Sequence, residues 1–393
     1  MEFESWWLLA IPLFFVLGWF AARVDLRNAP ARRGELPDAY FRGLNFLLNE
    51  QPDKAIDAFI DVVKLDPETI DLHFALGNLF RRRGETDRAI RVHLNLAQRS
   101  DLDAEQREHA IFALGKDYLK AGLLDRAEET FNRLEGSRHA AAALRHRLEI
   151  AQMVRDWPQA ISLAERLARD TGDDHGRDVA HFHCELAASA LASESADRFE
   201  RARREIEAAA GAAPDHARPV LLAGELAFAQ GESAAAIRAW GALTGENSPY
   251  LALVARGWLE AHASIGQSVQ GIDSLLEVHR QSPSVDTLAA IADALRQARG
   301  AAAAIEWVEA ELKRQPSLLG LEKLLELRAG RAEGAERAEI ELSQRLIQPQ
   351  ASRLARYVCS RCGFKARQFY WQCPGCSRWE SYAPRRTEEM ERG

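Results

Sequence analysis

Four cysteines near the C-terminus stand in two pairs, Cys359-Ser360-Arg361-Cys362 and Cys373-Pro374-Gly375-Cys376, with ten residues between the pairs. A Cys-x-x-Cys turn points two thiolates from one bend toward a single ion. Two such turns joined by a short hairpin complete a tetrahedral shell of four sulfurs. Four thiolates leave no open coordination position. The expected site, with Cys359, Cys362, Cys373 and Cys376 as ligands, is therefore structural or electron-carrying rather than hydrolytic. Two disulfides or scattered free thiols are the competing reading. Gly363 and Pro374-Gly375 at the bends favour the metal. A sulfur tetrahedron suits zinc and iron equally, so the expected cofactor is one iron or zinc ion in a four-cysteine site.

The residues around the pairs, Tyr357-Val358-Cys359 through Gly363-Phe364 and Tyr370-Trp371 before Cys373, resemble a rubredoxin with a shortened central loop. Such a loop removes part of the apolar shell that a rubredoxin keeps around its iron. Tyr357, Phe364, Tyr370, Trp371, Trp379 and Tyr382 are expected to form the small core of this ribbon. Arg356, Arg361, Lys365, Arg367 and Arg378 lie among these aromatics, the pattern of a nucleic-acid footprint. A solvated or partner-facing surface is the favoured reading, and nucleic acid is not expected as a partner.

No catalytic constellation stands out elsewhere in the chain. It has no phosphate-cradling Gly-x-x-x-x-Gly-Lys and no Gly-x-Gly-x-x-Gly. Gly266 to Gly271 is one residue too long for a nucleophile elbow and reads as a turn. His181 and His183, two apart on a helix, cannot face one ion. No catalytic residue is assigned, and a non-enzymatic role is expected.

The elements that must position the ribbon are helical. The chain has 393 residues, a net charge of −7 and a pI near 5.9, which excludes a general polyanion binder. Of its five cysteines, Cys184 reads as a small buried hydrophobe. Keeping the other four as thiolates asks for a reducing compartment. From Trp6 to Ala22 no charged residue occurs. Seventeen helical residues span about 25 Å, enough for a thin bilayer core. Arg23, Arg27, Arg32 and Arg33 follow the run while Glu2 and Glu4 precede it, which places the following chain in the cytoplasm. This is the pattern of an uncleaved anchor rather than a signal peptide.

Beyond the linker, self-similarity appears with a period of about 34 residues. Gly43, Phe46, Ala55 and Phe59 mark one unit; Gly77, Phe80, Gly84, Ala89 and Leu96 the next; Gly115, Tyr118, Gly122, Ala127, Phe131 and Leu134 a third. Gly224, Gly231, Ala236 and Trp240 mark a clear later one. This pattern resembles the tetratricopeptide repeat. The glycines on helix A are expected to admit helix B, answered by the alanines, with aromatic residues filling the space between units. Asn78, on helix A of the second unit, is the position repeat geometry suggests for a partner contact. Pro214, Pro249, Pro283 and Pro316 fall near unit boundaries, where a helix must stop.

Anchor, repeat array and terminal four-cysteine ribbon in this order resemble the lipopolysaccharide assembly protein B family. The most specific stretches are residues 43–48, 76–81, 181–186 and 370–376. The fold class expected is all-α: a tetratricopeptide-repeat superhelix with one N-terminal transmembrane helix and a small C-terminal rubredoxin-like metal ribbon of four cysteines. The domains expected are a periplasmic terminus at 1–5, the anchor at 6–22, a linker at 23–36, an array of about eight to nine helix pairs at 37–346, and the metal domain at 352–386. The resemblance implies an inner-membrane adaptor that controls lipopolysaccharide synthesis. It implies as partners the FtsH protease, the LpxC deacetylase, an inner-membrane lipopolysaccharide-sensing regulator and lipopolysaccharide transport proteins, with homo-oligomers open. A scaffold for lipopolysaccharide synthesis and transport proteins, a membrane-tethered electron carrier and a nucleic-acid-binding ribbon are the other readings.

Overall fold

The computed structural model describes residues 15–19, 38–49, 51–65, 70–243 and 245–391. Of the expected anchor only Phe15–Trp19 falls among them, in helical conformation; the remainder of 6–22 and the linker at 23–36 lie outside the described residues. Among the described residues no helix is long and apolar enough to cross a membrane. The chain divides into two compact units, Met1–Ala143 and Leu144–Gly393.

The first unit holds helix pairs Asp38–Leu48 with Pro52–Leu65, Ile70–Arg83 with Thr86–Gln98, and Ala104–Lys120 with Leu124–Asn132. Asp103 starts the fifth of these helices with a reciprocal capping box to Gln106. Gly84 and Gly122 end the A helices at φ +82° and +74°, where an L-residue is strained.

The repeat glycines admit helix B as expected, and what they admit of it is a ring. A Cβ at Gly43, Gly77 or Gly115 would lie under 3 Å from the ring of Phe59, His93 or Phe131 respectively. The ring sits sixteen residues after the glycine in each case. Each glycine thus admits an aromatic residue of its own unit, while Ala55, Ala89 and Ala127 are fully buried one turn before that ring. In the second unit of the pattern the ring is a histidine. His93 Nδ1 meets Asp117 Oδ2 at 2.5 Å, and Arg81 Nη1 donates to Asp117 Oδ1 at 2.7 Å. Asn78 accepts from Arg81 at 2.5 Å. Asn78, the position suggested for a partner contact, therefore also buttresses an ion pair that joins successive repeats.

The second unit opens within helix Ala140–Val154 and continues with Trp157–Thr171, Gly176–Ala192, Arg198–Ala212, Ala217–Ala229 and Ser233–Trp240. A 3₁₀ segment, Gly245–Val254, carries Pro249 inside it and runs into Ala255–Ser264. Pro249 thus loosens a helix start rather than ending a helix. Ser268–Gln281, Val285–Arg299, Ala301–Arg314, Leu318–Ala329 and Gly334–Leu354 follow. Helix Gly334–Leu354 passes through residue 352, the expected start of the metal domain, the first strand of the ribbon begins at Tyr357, and a short helix, Thr387–Met390, follows the ribbon. Cys184 is fully buried, and burial pushes its thiol up to about 12, as a core residue requires.

The glycine–ring pairing recurs at Gly224, whose Cβ would overlap the Trp240 indole. That ring is fixed by its Nε1 donating to Leu221 O at 3.1 Å. Gly224→Ala is expected to lower stability by about 1–3 kcal/mol through overpacking. Gly211, near the end of a helix with nothing close to its missing Cβ, is the control. Gly211→Ala should be neutral or stabilising by up to about 1 kcal/mol. Thermal unfolding of the two variants reads the contrast, and equal shifts would refute the packing role.

Candidate metal centre

The ribbon is built from two near-identical bends. Gly363 N donates to Cys359 O at 2.9 Å, and Cys359 N donates to Phe364 O at 3.0 Å. In the second bend Ser377 N donates to Cys373 O at 2.8 Å, and Cys373 N donates to Arg378 O at 2.9 Å. The left-handed residue is Gly363 in the first bend, at φ +73°, and Ser377 in the second, at φ +55°. Ser377, rather than Pro374-Gly375, is thus the counterpart of Gly363. Gly375 serves a different end, for a Cβ there would press on the Phe364 ring at 3.1 Å. Strands β1, Tyr357–Val358, and β2, Lys365–Ala366, pair antiparallel, with Tyr357 opposite Ala366.

These bends bring Cys359, Cys362, Cys373 and Cys376 together, with all four Sγ atoms within 4.8 Å of one another. Cys359 Sγ lies 3.8 Å from Cys376 Sγ, and Cys362 Sγ lies 3.7 Å from Cys373 Sγ. Metal–sulfur bonds of about 2.3 Å give a tetrahedron with edges of about 3.8 Å, so the donor set fits the ion. Electrostatics agrees. Burial would raise the Cys359 thiol, but donors from Ser381 and the backbone outweigh it and hold the group down to about 6. Cys362 accepts from the Phe364 backbone, yet burial and the other three sulfurs push it up to about 12. Against a bond from the Arg378 backbone, Cys376 is likewise raised by burial and by Cys373 and Cys359, so two of the sulfurs resist becoming thiolates, and a cation among them removes that resistance. Bound there, zinc would supply a cross-link and iron a one-electron couple as well.

Only part of the expected aromatic core serves the ribbon itself. Tyr357 and Tyr382 are buried with Cys359, Cys373 and Ala366. Phe364 is exposed. Trp371 and Trp379 instead pack on the helices of the second unit. Trp379 stacks on His181 with centroids 4.4 Å apart, meets Trp157 edge-on, and donates from Nε1 to Gln152 Oε1 at 3.0 Å. Trp371 stacks on Tyr250 at 5.2 Å.

Beside them Glu380 projects from the ribbon at φ +50°. Its Oε1 lies 3.0 Å from His216 Nε2 and 3.8 Å from His181 Nε2, and Arg177 Nη1 donates to Oε2 at 3.1 Å. Contact with the His216 ring, against the cost of burial, brings the Glu380 carboxyl down to about 2. His183, the other histidine of the sequence pair, turns away and meets Glu205 at 2.7 Å.

A second attachment lies past the ribbon and was not read from the sequence. Arg386 forks onto Asp286 at 2.8 and 2.9 Å and donates to Ala355 O at 2.6 Å. Glu389 Oε1 accepts from Val285 N at 2.7 Å. Glu388 accepts from Leu318 N at 2.5 Å and from Leu319 N at 3.2 Å. These amides open helices Val285–Arg299 and Leu318–Ala329, so two carboxylates meet the positive ends of two helix dipoles. The acidic Thr387–Met390 turn carries no motif, which is why pattern reading passed over it.

Fold and site together define a tetratricopeptide-type repeat protein carrying a rubredoxin-like ribbon of four cysteines. A family model described as a rubredoxin metal binding domain matches residues 357–384, and the tetratricopeptide repeat model matches 42–104 and 187–252. Lipopolysaccharide assembly protein B of Escherichia coli (strain K12) is 33% identical over 379 residues, covering 96% of this chain and 97% of that protein. The Haemophilus influenzae protein of the same name is 28% identical over 395 residues, covering 97% and 98%. The chain belongs to the lipopolysaccharide assembly protein B family.

The seat of the ribbon carries a pH signature. Burial first, then the neighbouring His216 and Arg218, hold His181 down to about 2, from its ordinary 6.5. The unfolded chain takes up this proton near pH 6.5 and the folded chain does not, so stability falls as pH drops below 6.5. One such group contributes a slope of at most about 1.4 kcal/mol per pH unit. Glu380, with its depressed carboxyl, adds a second loss as pH falls from 4.5 toward 2. Thermal unfolding between pH 7 and 5 should show a shallower decline in His181→Gln than in the parent. Parallel slopes would exclude the histidine as a source.

Proposed function

We propose that this protein is a non-enzymatic inner-membrane adaptor that regulates lipopolysaccharide biosynthesis by promoting FtsH-dependent proteolysis of the LpxC deacetylase. The observation that carries the reading is family membership over nearly the whole chain, with relatives named for lipopolysaccharide assembly. Stacked helix pairs support it, since they present extended surfaces suited to a peptide or a partner helix. Residues 6–22 form the single membrane span, with residues 1–5 in the periplasm and the chain after Arg23 in the cytoplasm. The array at 37–346 and the metal domain at 352–386 work on that side. Tethering confines the array to the layer where a membrane protease acts, raising its effective concentration. Cys359, Cys362, Cys373 and Cys376 hold one ion, and the ribbon folds with it. An inner-membrane lipopolysaccharide-sensing regulator and lipopolysaccharide transport proteins complete the partner set.

Depletion of the protein is expected to lengthen the half-life of LpxC, followed after translation is stopped. An unchanged half-life would remove the adaptor role and promote a scaffold for lipopolysaccharide synthesis and transport proteins. Replacing both Cys359 and Cys362 by Ser should abolish the thiolate-to-metal absorption of the cobalt-loaded protein while leaving the repeat helices folded by circular dichroism. It should also prolong LpxC lifetime. An undiminished absorption band would show the ligand assignment to be wrong.

A further inference from the structure

We propose that His181, His216 and Glu380 form a second metal site, for zinc or a cation of like preference, which is complete only when the ribbon is seated. The three residues come from separate elements. His181 lies in helix Gly176–Ala192, His216 immediately precedes helix Ala217–Ala229, and Glu380 belongs to the ribbon. One ligand atom from each lies within 4.8 Å of the others. Two imidazoles and a carboxylate are a zinc donor set. Bonds of about 2.0–2.1 Å place neighbouring tetrahedral ligands about 3.3 Å apart, a value bracketed by the observed 3.0 and 3.8 Å.

The second observation is an excess of unmet polar atoms. His181 Nε2, His216 Nδ1 and His216 Nε2 are buried and find no hydrogen-bond partner of proper geometry. Both Nε2 atoms approach the same carboxylate oxygen. A buried ring nitrogen without a partner is costly, and a shared cation would satisfy two of them at once. Glu380 also stands in a backbone region that disfavours side chains, at φ +50°, and it is this bend that carries its carboxylate to the imidazoles. Arg177 Nη1 holds the other carboxylate oxygen at 3.1 Å, as outer partners of a metal-binding carboxylate do, and also reaches the shared oxygen at 3.3 Å, a contact the ion must displace.

Two guanidiniums oppose the ion. Arg218 has its own counter-charge in Glu185, at 2.6 Å, and reaches His181 Nδ1 only at 3.4 Å. Metal on Nε2 requires a proton on Nδ1, so Arg218 must give up that weak contact for the His181 carbonyl, already 3.5 Å away. With Arg177 also near, a divalent cation is held more weakly here than among four thiolates. The site therefore fills after the four-cysteine centre and empties before it. Filled, it pins the ribbon to two helices of the array and makes that seat responsive to available metal. This assignment is independent of the adaptor role.

The test is metal stoichiometry of the untagged full chain in detergent. Zinc titration followed by elemental analysis should give two equivalents per chain, the second released first by a graded chelator. The double variant His216→Gln with Glu380→Gln should bind one equivalent. Its cobalt form should keep the thiolate charge-transfer band, which shows that the ribbon still folds. In the parent, the second cobalt equivalent should add visible absorption without further thiolate charge transfer. Saturation of the parent at one equivalent would overturn the proposal. So would a second equivalent that persists undiminished in the double variant.

Discussion

A ribbon with two-residue strands buries only a small core of its own, and its attachments to the helices before it make up that deficit. Tyr357 and Tyr382 fill the inside with Ala366 once four positions are given to sulfur, and Phe369 and Tyr370 pack half-buried against them. The larger aromatics face outward. Trp371 joins the apolar cluster that runs from Ala217 to Leu327, and Trp379 joins the cluster around Trp157 and Leu163. The ribbon thus adds two cores borrowed from the array to a small one of its own. Its polar attachments follow the same logic: Glu380 near Trp379, and Arg386 with Glu388 and Glu389 beyond the last strand-like pairing.

Within the repeats the governing contact is a glycine under an aromatic ring. A ring sixteen residues later can lie flat against helix A only if that helix has no Cβ there. The ring's chemistry is free to vary so long as it is planar. Phe59, Phe131 and Trp240 supply apolar area, while His93 adds a nitrogen that reaches Asp117. Asp117 is fully buried, so its charge is tolerable only because Arg81 and His93 both meet it. A packing position has there become a link between adjacent repeats.

Much of this was legible in the chain. The period, the turn glycines and the four-cysteine set follow from short-range rules, because a left-handed turn or a two-thiolate bend is specified by neighbours in sequence. What escaped were contacts between distant residues. Periodicity names Gly43 and Phe59 without saying that they touch: Phe59 is expected in the space between units, and it lies against the glycine of its own unit. Ser377 escaped because a left-handed serine has no compositional mark, unlike Gly363. Trp371 and Trp379 were placed inside the ribbon because an aromatic residue near cysteines looks the same whether it faces in or out. His181 and His216 are thirty-five residues apart, and Glu380 much further, so no spacing rule could have joined them.

The last consequence concerns linkage. Where ligand binding and folding of the ribbon are one event, any contact made only by the folded ribbon is coupled to the ion. Two such contacts cap the helices that begin at Val285 and Leu318, where backbone amides otherwise lack partners. A third set reaches His181, His216 and Gln152. Loss of the ion at the four-cysteine centre would therefore be felt at helix starts and at a buried histidine pair far along the chain. The coupling is reciprocal: whatever stabilises the seated ribbon raises the affinity of its four sulfurs for metal.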